Sequence, residues 1–104
     1  MTGTSTNPEA ASSVANIATP NARKYLAQLC KHFQHKLPTK WDENAGSIEF
    51  SIGQCRLSAG DGELEIVLAS SDATQLTQLQ DVVARHLLRF AFREQLVIEW
   101  SRKA

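Results

Sequence analysis

Between Ile48 and Leu68 the sequence runs through three short stretches of alternating apolar side chains, and this pattern restricts the fold more than any other feature. Ile48, Phe50 and Ile52 come first, then Cys55, Leu57 and Ala59, then Leu64, Ile66 and Leu68. Successive side chains of a strand point to opposite faces, so each stretch reads as a strand with one buried face. Gly53-Gln54 suits a two-residue turn with glycine first, and Asp61-Gly62 offers a second tight turn. Turns at both places pair Ile52 with Cys55, Phe50 with Leu57, and Leu57 with Ile66. A slip of one residue would send every apolar side chain into water, so turn chemistry and patterning specify the same meander. Cys55, Leu57, Leu64 and Ile66 are expected inside, with Arg56 and Glu65 outside.

Helical signals flank the meander. A weak strand over 14–18 leads to Thr19-Pro20, where Thr19 reads as N-cap and Pro20 as the first helical residue. The helix is predicted over 20–36, stopping before Pro38, which disfavours helix at Leu37. At about 100° per residue, Tyr25, Leu26, Leu29, Phe33 and Leu37 share one face with Cys30 at its edge. His35 falls on the polar side and His32 beside the boundary. A second helix starts after Ser71, with Asp72 as N-cap and Gln75 completing a capping-box-like pair. Leu76, Leu79, Val83, Leu87 and Phe90 form its buried stripe. Residues 39–42 add a short strand before Gly46, and a final strand over 96–100 buries Leu96, Ile98 and Trp100. The expected fold is α+β, a two-layer sandwich with two helices on one face of a curved antiparallel sheet, in the order β-α-(β)-β-β-β-α-β.

A chain of 104 residues fits one core. Residues 1–12 read as a disordered tail and 13–104 as a single domain. Eleven basic residues balance eleven acidic ones, which argues against a nucleic-acid backbone or a membrane surface as partner. No apolar run approaches the ~18 residues of a spanning helix, and the N-terminus lacks the basic start and apolar run of a secretory signal. Two cysteines are too few for a disulfide framework, so reduced thiols and a cytoplasmic location are expected.

Two stretches carry a family resemblance: Leu29-Cys30-Lys31-His32-Phe33-Gln34-His35-Lys36, and the run from Asp81-Val82-Val83-Ala84-Arg85-His86 through Leu87-Leu88-Arg89-Phe90-Ala91-Phe92-Arg93-Glu94. Together with Ala18-Thr19-Pro20, Trp41, Gly46, Phe50, Gly53 and Cys55, they resemble the bacterial domain of unknown function 2218 family over about 14–100. The resemblance implies a bacterial source. It also implies an accessory place in siderophore and iron use, because such domains occur fused to siderophore-interacting, ferric-reductase-like flavoproteins. A flavoprotein of that kind or an iron chelate is the partner it suggests. It transfers no catalytic residues, and no flavin-binding motif is present.

The candidate sites each have a plain reading beside a functional one. Cys30, His32 and His35 are good metal ligands, but Cys30 and His32 lie roughly 200° apart on a helix. Only His32 and His35 can share an ion, and cationic groups at a helix end also suit its dipole. Cys30 and Cys55 point inward as structural thiols. His86, at the edge of the second helix's stripe, is either satisfied by a backbone carbonyl or faces His32 to complete a ligand site. Arg85, Arg89 and Arg93 step up one side of that helix, either paired with Asp81 and Glu94 or free to hold an anion. Glu49, Arg56, Glu63, Glu65 and Glu99 share the outer sheet face with Val67 and Val97, which leaves room for a homodimer through that face or an edge.

No nucleophile elbow, phosphate-cradling glycine loop or spaced acid pair is present. A binding or interaction module serving iron use is the leading expectation, and the sequence requires no cofactor. A direct metal or haem binder through His32, His35 and His86 is the second. A small enzyme with acid–base groups outside the known motifs is the third.

Overall fold

The computed structural model describes residues 10–103. Most of the tail expected over 1–12 lies outside the described residues, but Ala11 and Ser12 belong to the first strand. The elements are β1 (Ala11–Ala18), α1 (Ala22–Phe33), β2 (Thr39–Trp41), β3 (Ala45–Phe50), β4 (Gly53–Gly60), β5 (Glu63–Ser70), α2 (Ala73–Phe90) and β6 (Ser101–Lys103). Six antiparallel strands form one curved sheet in the order β2-β3-β4-β5-β1-β6, with both helices on its inner face. That is the expected α+β sandwich.

The meander keeps its faces but not its first turn. Asp61-Gly62 is the two-residue turn joining β4 to β5, and Leu57 stands opposite Ile66 as the patterning requires. Between β3 and β4, however, Ile48 faces Cys55 and Phe50 faces Gly53, so the turn is Ser51-Ile52. Gly53 serves a different need. Its φ is +153°, and a methyl there would collide with the Ala69 carbonyl and the Ser70 hydroxyl. The Ser70 hydroxyl also donates to the Ile52 carbonyl at 2.7 Å, fixing the turn against β5. The shift preserves parity, so Cys55, Leu57, Leu64 and Ile66 are all buried. Arg56 is exposed and Glu65 partly covered.

α1 begins two residues later than the Thr19-Pro20 signal suggests. Asn21 is its N-cap, and Thr19 is buried, accepting from the Asn21 N–H at 3.1 Å. The helix ends at Phe33, and a turn closed by Lys36 and Leu37 N–H groups on the Phe33 carbonyl leads into Pro38. Asp72 caps α2 as expected, accepting from the Gln75 N–H at 2.8 Å. The Gln75 side chain takes the Ser71 hydroxyl instead of reaching back to the cap. The expected strand over 96–100 is an extended segment without ladder pairing, and β6 follows it, pairing Ser101 with Val14. Leu96, Ile98 and Trp100 still pack partly buried against the core. Alternation records side-chain burial, which an extended segment achieves without a strand partner.

Leu26 and Leu29 of α1 and Leu76, Leu79, Val83 and Leu87 of α2 close over Ile17, Ile48, Leu57, Leu64, Ile66 and Leu68 of the sheet. At roughly 2 kcal/mol for each such side chain, this shared core holds the helices in one relative position. Among the described residues, no helix is long and apolar enough to cross a membrane.

Candidate functional site

α1 and α2 lie antiparallel along a shared groove. Asn21 and Tyr25, early in α1, meet Glu94 just beyond α2, whereas His32 at the other end of α1 meets His86 and Phe90. The last turn of α1 thus meets the C-terminal third of α2, at His86 and Phe90. That crossing creates the juxtaposition the sequence leaves open.

At this end the His32 and His86 ring centroids are 4.8 Å apart. Phe33 sits 4.9 Å from His86 and 5.0 Å from Phe50, and Phe90 lies 5.8 Å from His32. His86 Nδ1 is 2.7 Å from the Val82 carbonyl oxygen. A carbonyl only accepts, so Nδ1 carries the proton, and in the neutral ring Nε2 is left with a free lone pair. The His32 ring, covered on one side by its aromatic neighbours, has its pKa lowered below the ordinary histidine value. Loss of solvation is the main cause, followed by the charges of His86, Arg89, His35 and Lys36. Beside these rings opens a cavity of about 540 Å³ lined by the apolar Phe33, Leu37, Phe50 and Val82 together with His32, His35 and Lys36.

His35 stays with His32 at the cavity, and it is the arginines that separate. His35 lies past the end of α1 and is exposed. Arg85 pairs with Asp81 at 2.9 Å, both exposed. Arg89 is exposed and contributes its charge near His32. Arg93 is not on α2, which ends at Phe90; its guanidinium lies 5.3 Å from the Phe92 ring. The three arginines therefore do not form one row, and Glu94 is not their partner. Cys30 and Cys55 are buried free thiols. Burial pushes the Cys30 pKa up to about 11 and the Cys55 pKa higher still, with Cys30 as a second cause. Neither supplies a thiolate at neutral pH. Among the described residues, no three His, Cys, Asp or Glu side chains are grouped to hold a metal ion.

The opposite end holds a network that the sequence reading misses. Glu94 accepts hydrogen bonds from the Thr19 hydroxyl at 2.8 Å, the Asn21 amide at 2.6 Å and the Tyr25 hydroxyl. These three donors, Tyr25 first, hold its carboxyl below the usual glutamate range. Burial, then Glu94 itself, pushes the Tyr25 phenol up. The available signal is Tyr25, because a tyrosine on a buried helix face needs a partner for its hydroxyl.

Against known proteins, the family described as "Uncharacterized protein conserved in bacteria (DUF2218)" matches over residues 14–101. The NMR structure of PA4090 from Pseudomonas aeruginosa is similar, with 35% identity and a TM-score of 0.74. The alignment covers 88% of this chain and 95% of that one. No curated protein matches.

Proposed function

The chain belongs to this uncharacterised bacterial family, and we propose that it is a binding module whose working surface is the His32–His86 end of the groove. The observation that carries the reading is the meeting of two imidazoles from different helices beside an aromatic-walled cavity of about 540 Å³. A volume of that order suits a small ligand. Phe33 and Phe50 offer ring surface for a flat guest, while Lys36 and Arg89 favour negative charge.

The guest that joins these properties to the iron setting implied by the family resemblance is an anionic aromatic iron chelate. The chelate would supply the iron's coordination, with the His32 ring that lines the cavity beside it as hydrogen-bond partner or additional ligand, and His86 packed behind that ring. Iron is then cargo, passed to or from a siderophore-interacting flavoprotein. Direct capture of a bare ion has less support, because two imidazoles fill only half of a four-coordinate shell.

Calorimetry with a ferric catecholate complex, haemin and zinc tests the assignment on the wild type and the His32→Ala/His86→Ala variant. The chelate is expected to bind the wild type and to bind the double variant at least about tenfold more weakly, a loss near 1.4 kcal/mol. Arg85→Ala, away from the rings, leaves affinity unchanged. Equal affinities in wild type and double variant, or no heat from the chelate, would refute the reading.

A further inference from the structure

Both helices lie on one face of the sheet, and the strand register fixes the grid of side chains on the other. From β2 to β1 one row of that outer face reads Lys40, Ser47, Arg56, Val67 and Val14. The next row toward the Asp61-Gly62 turn reads Ala45, Ser58, Glu65 and Asn16, and Glu63 follows Glu65 on the same face of β5. Val67 and Val14 thus stand side by side, both partly covered. The bases lie to one side of them and the two acids of β5 toward the turn. Among the described residues none of Lys40, Arg56, Glu63 and Glu65 has an ion-pair partner. Beside the bases the surface dips into a cavity of about 500 Å³ that Ser47 and Ser58 also line. Asp42, at the same dip, is already engaged by the Asn44 and Ala45 N–H groups at 2.8 and 2.9 Å. Glu49, the other acid of this face, accepts from the Gln54 amide at 2.9 Å.

Sorting of unpaired charge to opposite sides of an apolar centre suits a surface that meets its own copy. We infer that the outer sheet face binds a second copy of this chain across a two-fold axis that runs between Arg56 and Glu65 and over Val67 and Val14. A two-fold makes every contact twice. Strands lie about 4.8 Å apart and same-face neighbours about 6.8 Å apart along a strand. Turning the grid about that axis sets Arg56 against Glu65 of the second copy and Lys40 against its Glu63. The two acids enter the dip beside the bases, and the valines of both copies stack at the centre. The sheets cross steeply, as in orthogonal packing. A face six strands wide and eight residues long spans roughly 600 Å² in plan. Side-chain relief adds to that, which brings it near the roughly 800 Å² each partner buries in a stable complex. The His32 cavity, on the helical side, stays open.

Sedimentation equilibrium of the full chain is expected to show a concentration-dependent dimer. Arg56→Glu alone sets acid against acid at both central pairs, and Glu65→Arg alone sets base against base. Each should weaken the dimer at least about tenfold. An equimolar mixture of the two variants should restore it, because a dimer with one of each brings opposite charges together at both places. Both side chains lie outside the core, so the variants keep the fold. Chelate affinity should be the same in both variants as in the wild type, which separates this interface from the His32 site. A monomer at every concentration up to about 1 mM, a dimer indifferent to both substitutions, or a mixture no stronger than either variant alone would each overturn the assignment.

Discussion

The two ends of the α1–α2 groove use the same pair of helices in opposite ways. At the Glu94 end, a carboxylate, a phenol, an amide and a hydroxyl are joined in one network. At the His32 end, rings meet rings, and of the hydrogen bonds found there only that of His86 to the Val82 carbonyl engages an imidazole. Polar groups that satisfy one another hold segments together, whereas polar groups left free beside a cavity are available to a guest. The difference separates a fastening from a recognition surface. Phe90, touching His32 on one side and lining a cleft near Glu94 on the other, divides the two.

Removing that divider should have the largest effect. Phe90 is partly exposed, so Phe90→Ala is expected to cost about 2–3 kcal/mol, below the range of a fully buried phenylalanine. Both ends should change together, with losses of chelate binding and of overall stability in urea melts. A loss of stability with chelate affinity intact would show that the ring is only a packing element.

Next in size is Tyr25→Phe, which leaves Glu94 two donors and is expected to cost about 1–2 kcal/mol in the same melts. Chelate affinity should stay unchanged, which separates the ends. A third effect is acid lability. Because hydrogen bonds hold the Glu94 pKa low in the fold, the unfolded chain takes up this proton first as pH falls. Its contribution is therefore complete above the ordinary glutamate value of about 4.3 and is lost as pH drops through the lower native value. Glu94→Gln should flatten that part of the urea-midpoint profile. An unchanged acid slope in the variant would mean that the network does not depend on the charge.

What the sequence made legible follows the range of each interaction. Alternation in β4 and β5 and the Asp72 cap are local, and both read correctly. Gly53 misled because a tight turn and a close backbone approach both call for glycine, and only the position of Ala69 and Ser70 separates them. Thr19 has the chemistry of a cap, but its hydroxyl is drawn to Glu94, 75 positions away. The identities and helical phases of His32 and His86 were legible, yet their meeting depends on how unequal helices cross. The Glu94 network joins residues brought together by the same crossing, so no short motif announces it.

The smallest expected effect concerns His32 itself. Its pKa is lowered first by loss of solvation against Phe33, His86 and Phe90, then by positive charge from His86, Arg89, His35 and Lys36. The unfolded chain therefore binds this proton at higher pH than the native one. Stability linked to the neutral ring is complete above the unfolded value of about 6.5 and declines as pH falls through the native value. His32→Gln should be within about 0.5 kcal/mol of wild type at neutral pH, as expected for an exposed position, and should lose that decline under mild acid. The Glu94 slope, which lies lower on the pH scale, should persist in the variant. NMR titration of the His32 ring adds a direct readout: Arg89→Ala should raise its midpoint because one repelling charge is gone, whereas Tyr25→Phe should leave it in place. A midpoint at the ordinary value in the wild type, or one that moves equally in both variants, would mean that the two ends are not electrostatically distinct.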